Sequence, residues 1–235
     1  MKAREYYWYT TRTPLVDYAA YAHLLLQMTV TERTYQEVLR RIVDGDIAPG
    51  TVIEERKLAE AMEVSRTPLR SALTQLLGEG LLERLSNGAL AVKAFTSTDL
   101  LELLQIRLLL ECEAAANAAG RIPSAPLMAL TTALQRVLAD PELQAEWDFD
   151  EQVHELIAEH CGNQTLRSML LSIKRQSALC HVEQMPNRVT KAREEHLKIV
   201  QALLDADAQS ARQAMAEHLR SVQQNFVQSL TGSTR

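Results

Sequence analysis

The chain has 235 residues, 46% hydrophobic and 23% charged, with 25 Lys+Arg against 30 Asp+Glu and a formal net charge of -5. That length fits one large domain or two modest ones, and the apolar content excludes a disordered, collagen-like or small disulfide-stapled chain. Three cysteines (Cys112, Cys161, Cys180) without CxxC spacing point to a reducing compartment. Neither the opening MKAREYYWYTTR nor residues 15–28, which carry Asp17 and His23, reads as a signal peptide or membrane span, so a cytoplasmic location is expected. Leu and Ala dominate and aromatics are sparse, which favours helices over sheets.

Residues 1–30 are an extension of unknown role, in which Leu15, Tyr18, Ala22 and Leu25 would line one face of a short helix. A first domain is expected over 31–95. Tyr35, Val38, Leu39 and Ile42 form an amphipathic helical stripe that stops at Gly45, and Pro49-Gly50 turns the chain into a brief β-branched strand at 51–53. A second helix is expected over 55–62. Ser65 is placed to N-cap a third, with Pro68 harmless in its first turn. Short apolar runs then flank Ser86-Asn87-Gly88, and the Asn-Gly pair predicts a two-residue hairpin turn.

The third helix separates into two faces. Leu69, Ala72, Leu73 and Leu76 share one, and Thr67, Arg70, Ser71 and Thr74 the other. Over 31–93 nine Lys+Arg meet ten Asp+Glu, yet between 65 and 77 the only charges are Arg66 and Arg70. Two arginines on a solvated helix would ordinarily be surface. A short helix, tight turn, segregated second helix and following hairpin instead describe a winged helix-turn-helix, with Arg66, Thr67 and Arg70 facing a DNA major groove and Gly88 at the wing tip.

Residues 35–92, and above all IAPG, LAEAMEVSRTPLR and GEGLL, resemble the winged helix of GntR-type bacterial transcription regulators. The resemblance implies DNA contacts by Arg56, Arg66, Thr67, Arg70 and Gly88. Glu63 stands where a Gly is usual, and Ser71 where a Glu is usual.

From Ser97 the pattern is purely helical, and an antiparallel six-helix bundle is expected over 98–230, with Asp99 capping the first helix. Further helices are expected over 125–140, 141–161, 163–181, 189–204 and 209–230. The fold is thus mainly α. On the third helix of the bundle, 141–161, Asp150 and His154 lie four apart, on one face with Trp147, Ile157 and Cys161. A solitary inward His is ordinarily a hydrogen-bonded core residue. Here His196 and His218 also lie on apolar faces, each about eleven residues from the turn at 205–207, so a helical hairpin would bring both to one height about 16 Å from it. Three imidazoles and a carboxylate suit Zn, Ni, Mn or Fe, with coordination positions left open in a six-coordinate ion. His23, His160 and His181 fall off this pattern. Arg107, set among leucines in IRLLLE, is expected to require an anion or a polar cavity.

Residues 99–230, through DEQVHELIAEHCGNQTL, REEHLKIVQALLDAD and AMAEHL, resemble the FCD effector domain of the FadR subfamily, and six helices resemble its VanR-type branch. The resemblance implies metal ligation by Asp150, His154, His196 and His218, with Arg107 facing an effector cavity. The expected function is a homodimeric regulator, in sign a repressor, that binds a palindromic operator and responds to a small carboxylate. Two alternatives stand beside it. One is a metal-dependent enzyme acting on small carboxylates, which needs a general base that Glu195 and Glu217, about 100° away from their neighbouring histidines, do not supply. The other is a DNA-binding protein with a purely structural metal.

Overall fold

The computed structural model describes residues 28–140, 149–179 and 188–232. The expected helix around 15–25 and residues His23, Trp147, Cys180 and His181 lie outside them. Contacts divide the chain into two compact units, Met1–Thr96 and Ser97–Arg235. Nine helices and two short strands occur among the described residues.

In the first unit α1 (Val30–Val43) opens on a capping box: the Thr29 hydroxyl accepts from the Glu32 amide while the Glu32 carboxylate accepts from the Thr29 amide. Its stripe of Tyr35, Val38, Leu39 and Ile42 is buried, and Tyr35 donates its hydroxyl to Glu79 Oε2 at 2.6 Å. Helix α2 (Glu55–Ala61) and α3 (Arg66–Gly78) follow, and α3 packs on both α1 and α2. Leu69, Leu73 and Leu76 of α3 are almost wholly buried, each burial contributing about 1.5–3 kcal/mol before entropy is counted. Strands β1 (Leu82–Arg84) and β2 (Leu90–Val92) pair antiparallel, with Leu82 opposite Val92 and Arg84 opposite Leu90.

Three local expectations are corrected. Residues 51–53 form one bridge, Val52 to Ala91, rather than a strand, because only this short stretch lies against β2. Ser65 occupies the N-cap position of α3, yet its side chain makes no capping hydrogen bond. The hairpin loop has three residues: the Gly88 amide donates to Leu85 O, the Leu85 amide donates to Ala89 O, and of the Asn-Gly pair only Gly88 takes a positive φ, +84°. A type I′ turn needs positive φ at both central residues, whereas a turn closed by one left-handed glycine needs it only there.

In the second unit α4 (Ser97–Ala118), α5 (Ser124–Ala139), α6 (Phe149–His160), α7 (Gln164–Ala178), α8 (Val189–Leu204) and α9 (Ala208–Gly232) pack together. Asp99 lies within the first turn of α4, which begins three residues earlier than a cap at 99 would allow. Asn163 caps α7 by accepting from the Leu166 amide. Helix α4 lies against α6, α7 and α9, α5 against α8, and α6 against α8. The small residues Ala114, Ala115 and Ala118 of α4 face Leu127, Leu134, Ile157, Ile199, Leu203, Met215 and Leu219 in one core cluster. No helix among the described residues is long and apolar enough to cross a membrane.

Candidate metal centre and nucleic-acid interface

The interface expected for DNA is open on one side of α3. Leu69, Ala72, Leu73 and Leu76 are buried, and Arg66, Thr67, Arg70, Ser71 and Thr74 are exposed. The first turn of α3 holds no acidic residue, so the partial positive charge of the helix N-terminus adds to Arg66 and Arg70. Arg70 is engaged: its Nε lies 2.6 Å from Glu55 Oε2 of α2. Arg56 is exposed and stands 4.0 Å from Glu60. Gly88 is exposed at the wing tip, with nothing within 4 Å of the position a Cβ would take. The turn between α2 and α3 has a left-handed residue, Glu63, at φ +55°. That is the conformation in which glycine is at ease, and here a glutamate bears the strain.

Within the bundle Asp150 and His154 project from α6, His196 from α8 and His218 from α9. Their donor atoms all lie within 4.8 Å of one another. The three imidazoles are buried and Asp150 is partly so. Their Nε2 atoms surround one carboxylate oxygen: Asp150 Oδ1 is 3.5 Å from His154, 3.4 Å from His196 and 3.8 Å from His218. The rings of His196 and His218 sit 4.5 Å apart between centroids.

Several further charged groups support this cluster. Glu111 Oε2 contacts His154 Nδ1, and Glu195 Oε2 lies 2.9 Å from His218 Nδ1. Glu195 does turn away from its neighbour His196, but an antiparallel helical hairpin brings it to His218 of the next helix. Lys174 of α7 is buried, donates to the backbone oxygens of Asp150 and Glu151, pairs with Glu151 Oε2 at 2.9 Å and lies 4.0 Å from Asp150 Oδ2. Asp150 thereby has one oxygen toward the imidazoles and the other toward a cation. Arg107 is buried, and its Nε donates to Glu111 Oε1 at 2.5 Å. The anion expected beside Arg107 is supplied within the chain: Glu111, one turn along the same helix, answers its charge. A sequence signal existed, since Arg107 and Glu111 are an i,i+4 pair. His160, off the pattern as expected, bonds Leu156 O through Nδ1.

The donors fit a metal ion. Both ring nitrogens of His196 are buried without a hydrogen-bond partner. Such an orphaned group costs about 1–3 kcal/mol unless something satisfies it. His154 Nε2 and His218 Nε2 are 3.3 Å apart. With each Nδ1 proton donated to a carboxylate, two lone pairs face each other, and a cation between them relieves the repulsion. The protonation states are those a metal needs. Burial, reinforced by His196, pushes His218 down to about 3, and burial lowers His196. Burial alone would raise Asp150, but His154, Lys174 and His196 outweigh it and hold the carboxyl well below its ordinary range.

Comparison with known proteins agrees with both units. Residues 30–92 match the family described as bacterial regulatory proteins, gntR family, and residues 102–221 match the FCD domain. The Uxu operon transcriptional regulator of Escherichia coli (strain K12) is 31% identical over 234 residues, covering 85% of this chain and 89% of that protein. The HTH-type transcriptional regulator LutR of Bacillus subtilis (strain 168) is 28% identical over 208 residues, covering 77% and 94%. Among solved structures, E. coli McbR/YncC has the same fold, with a TM-score of 0.69 at 21% identity over 87% of this chain and 100% of that one.

Proposed function

The chain belongs to the gntR family of bacterial regulatory proteins with an FCD domain, a DNA-binding transcription regulator and not an enzyme, and we propose that a metal held in its bundle senses a small organic acid and so sets the grip of its winged helix on DNA. The observation that carries this reading is the convergence of three buried imidazole Nε2 atoms on one oxygen of Asp150, with His196 unsatisfied until an ion is there. Asp150, His154, His196 and His218 hold a divalent Zn, Ni, Mn or Fe ion, which when bound supplies Lewis-acidic positions for the oxygens of an acid. Recognition of the acid rests on those positions, and Arg107 acts on the site through Glu111.

At the DNA, Arg66, Thr67 and Arg70 read or grip the major groove, Arg56 holds phosphate and Gly88 lets the wing backbone approach closely. A regulator of this kind works as a cytoplasmic homodimer on a palindromic operator, most simply as a repressor released by its effector. The exposed Ile106 and Leu109 of α4 offer apolar surface to a second copy. The experiment is metal analysis of the purified protein together with operator binding of His218→Ala. The reading expects about one first-row metal per chain, lost in the variant, with the response of operator binding to organic acids lost as well. A wild type that carries and takes up no such metal refutes it. A metal-loaded protein indifferent to every acid would favour the second reading, a purely structural ion.

A further inference from the structure

Two of the three imidazoles are each backed by their own carboxylate, and each carboxylate by its own guanidinium. On one side Arg107 Nε donates to Glu111 Oε1, and the other oxygen of Glu111 meets His154 Nδ1. On the other, Arg188 Nη2 donates to Glu195 Oε2 at 2.9 Å, and that oxygen lies 2.9 Å from His218 Nδ1. Arg188 also donates through Nη1 to Ser221 Oγ at 2.9 Å. All four charged side chains are nearly inaccessible, at 6% and 8% exposure for the first pair and 9% and 12% for the second. His196 has no counterpart, since its Nδ1 is buried without a partner.

We infer that Arg107–Glu111 and Arg188–Glu195 are two positioning relays that aim His154 and His218 at the metal, while His196 has no such carboxylate behind its Nδ1. The inference rests on the reading of the four-donor cluster as a metal site. A carboxylate only accepts, so the ring nitrogen facing it must carry the proton, and the lone pair of the opposite nitrogen is turned inward. Arg188 Nη2 also approaches His218 Nδ1, at 3.4 Å, but the 2.9 Å contact to Glu195 is the shorter and decides the proton's place. Each carboxylate bonded to a ligand imidazole raises its basicity. A buried carboxylate is costly unless paired, and the arginine supplies the pairing. The two relays come from separate helix regions, the middle of α4 and the start of α8, yet apply the same chemistry to the same ring atom of histidines on two further helices. Arg107 and Arg188 are thus positioning residues for the ion, each two hydrogen bonds removed from a histidine that holds it.

The test is a competition titration of Zn2+ against a chelator on the full chain, with NMR of the Zn2+-loaded form. Glu111→Gln and Glu195→Gln keep an acceptor, whereas Glu111→Ala and Glu195→Ala remove it. The pairs Arg107→Met/Glu111→Leu and Arg188→Met/Glu195→Leu remove a relay without stranding a buried charge, so they guard against variants that fail to fold. In the wild type the Nδ1 protons of His154 and His218 are expected far downfield and slow to exchange, and that of His196 is not. Losing a relay should abolish the matching signal and weaken Zn2+ binding about 10- to 100-fold. The Gln variants should sit nearer wild type than the Ala variants. Glu113→Gln, in an exposed pair with Arg212, should change nothing. Wild-type Zn2+ affinity and both Nδ1 signals surviving in the paired variants would overturn the relays while leaving the metal site standing. No Zn2+ binding by the wild type would overturn the metal reading itself, and the relays with it.

Discussion

Replacing His196 by Leu should stabilise the protein when it is stripped of metal, and that advantage over wild type should close or reverse when metal is present. The magnitude follows from the surroundings of His196. The residue is 1% exposed, packs beside Ile199 and Val200, and both its ring nitrogens lack hydrogen bonds. A leucine of similar volume removes those orphaned groups, a gain of about 1–3 kcal/mol. At about 3 °C per kcal/mol for a unit of this size, the metal-free variant should melt roughly 3–9 °C above metal-free wild type. With free metal at about 100 times its dissociation constant the wild type gains about 2.7 kcal/mol, and a variant lacking one ligand gains far less. The order of the two melting points should therefore invert or close. Differential scanning calorimetry in chelator and in metal, on both proteins, provides the four numbers. If His196→Leu melts well below wild type in chelator, the imidazole is a satisfied core residue and the reasoning fails.

Other consequences are open to measurement. Arg66→Ala and Arg70→Ala should each cost about 1–3 kcal/mol of operator binding if they read base edges, seen by fluorescence anisotropy. Arg70 must leave Glu55 to reach DNA, so Glu55→Gln should bind at least as tightly as wild type, with a gain under about 1 kcal/mol because the pair is exposed. Glu63→Gly should stabilise the first unit by about 0.5–1 kcal/mol in urea unfolding, the relief of a left-handed glutamate less the freedom a glycine adds to the unfolded chain. Acid should weaken the metal-free bundle. The folded state keeps His218 neutral to about 3, whereas the unfolded chain protonates it near 6.5, so stability is full above 6.5 and falls by about 1.4 kcal/mol per pH unit below it. Stability that rises on acidification from pH 7 to 5 would contradict this.

Most of the helices were legible because their apolar spacing and their breakers agree. The helix expected over 189–204 occurs as Val189–Leu204, and the two faces of α3 separate as its sequence separates them. The four clustered donors were legible for a related reason: an inward-facing His is rare enough that three of them carry information. The relays were not. Glu111 reads in sequence as one acid on a leucine-rich helix, and its contact with His154 spans 43 residues, which no local spacing encodes. Glu195 was judged against the histidine beside it in sequence, and its partner is on the next helix. The hairpin misled for the opposite reason, since an Asn-Gly pair is a local signal and the Leu85–Ala89 hydrogen bond closed the loop one residue wider.

Operator binding measured across a panel of small organic acids, with metal-loaded and metal-stripped protein side by side, tests the central claim most directly. The account predicts that at least one acid shifts the affinity of the metal-loaded protein by tenfold or so, the scale of a coupling of about 1.4 kcal/mol, and leaves the stripped protein unmoved. An acid that acts equally on both would show that sensing does not pass through Asp150, His154, His196 and His218.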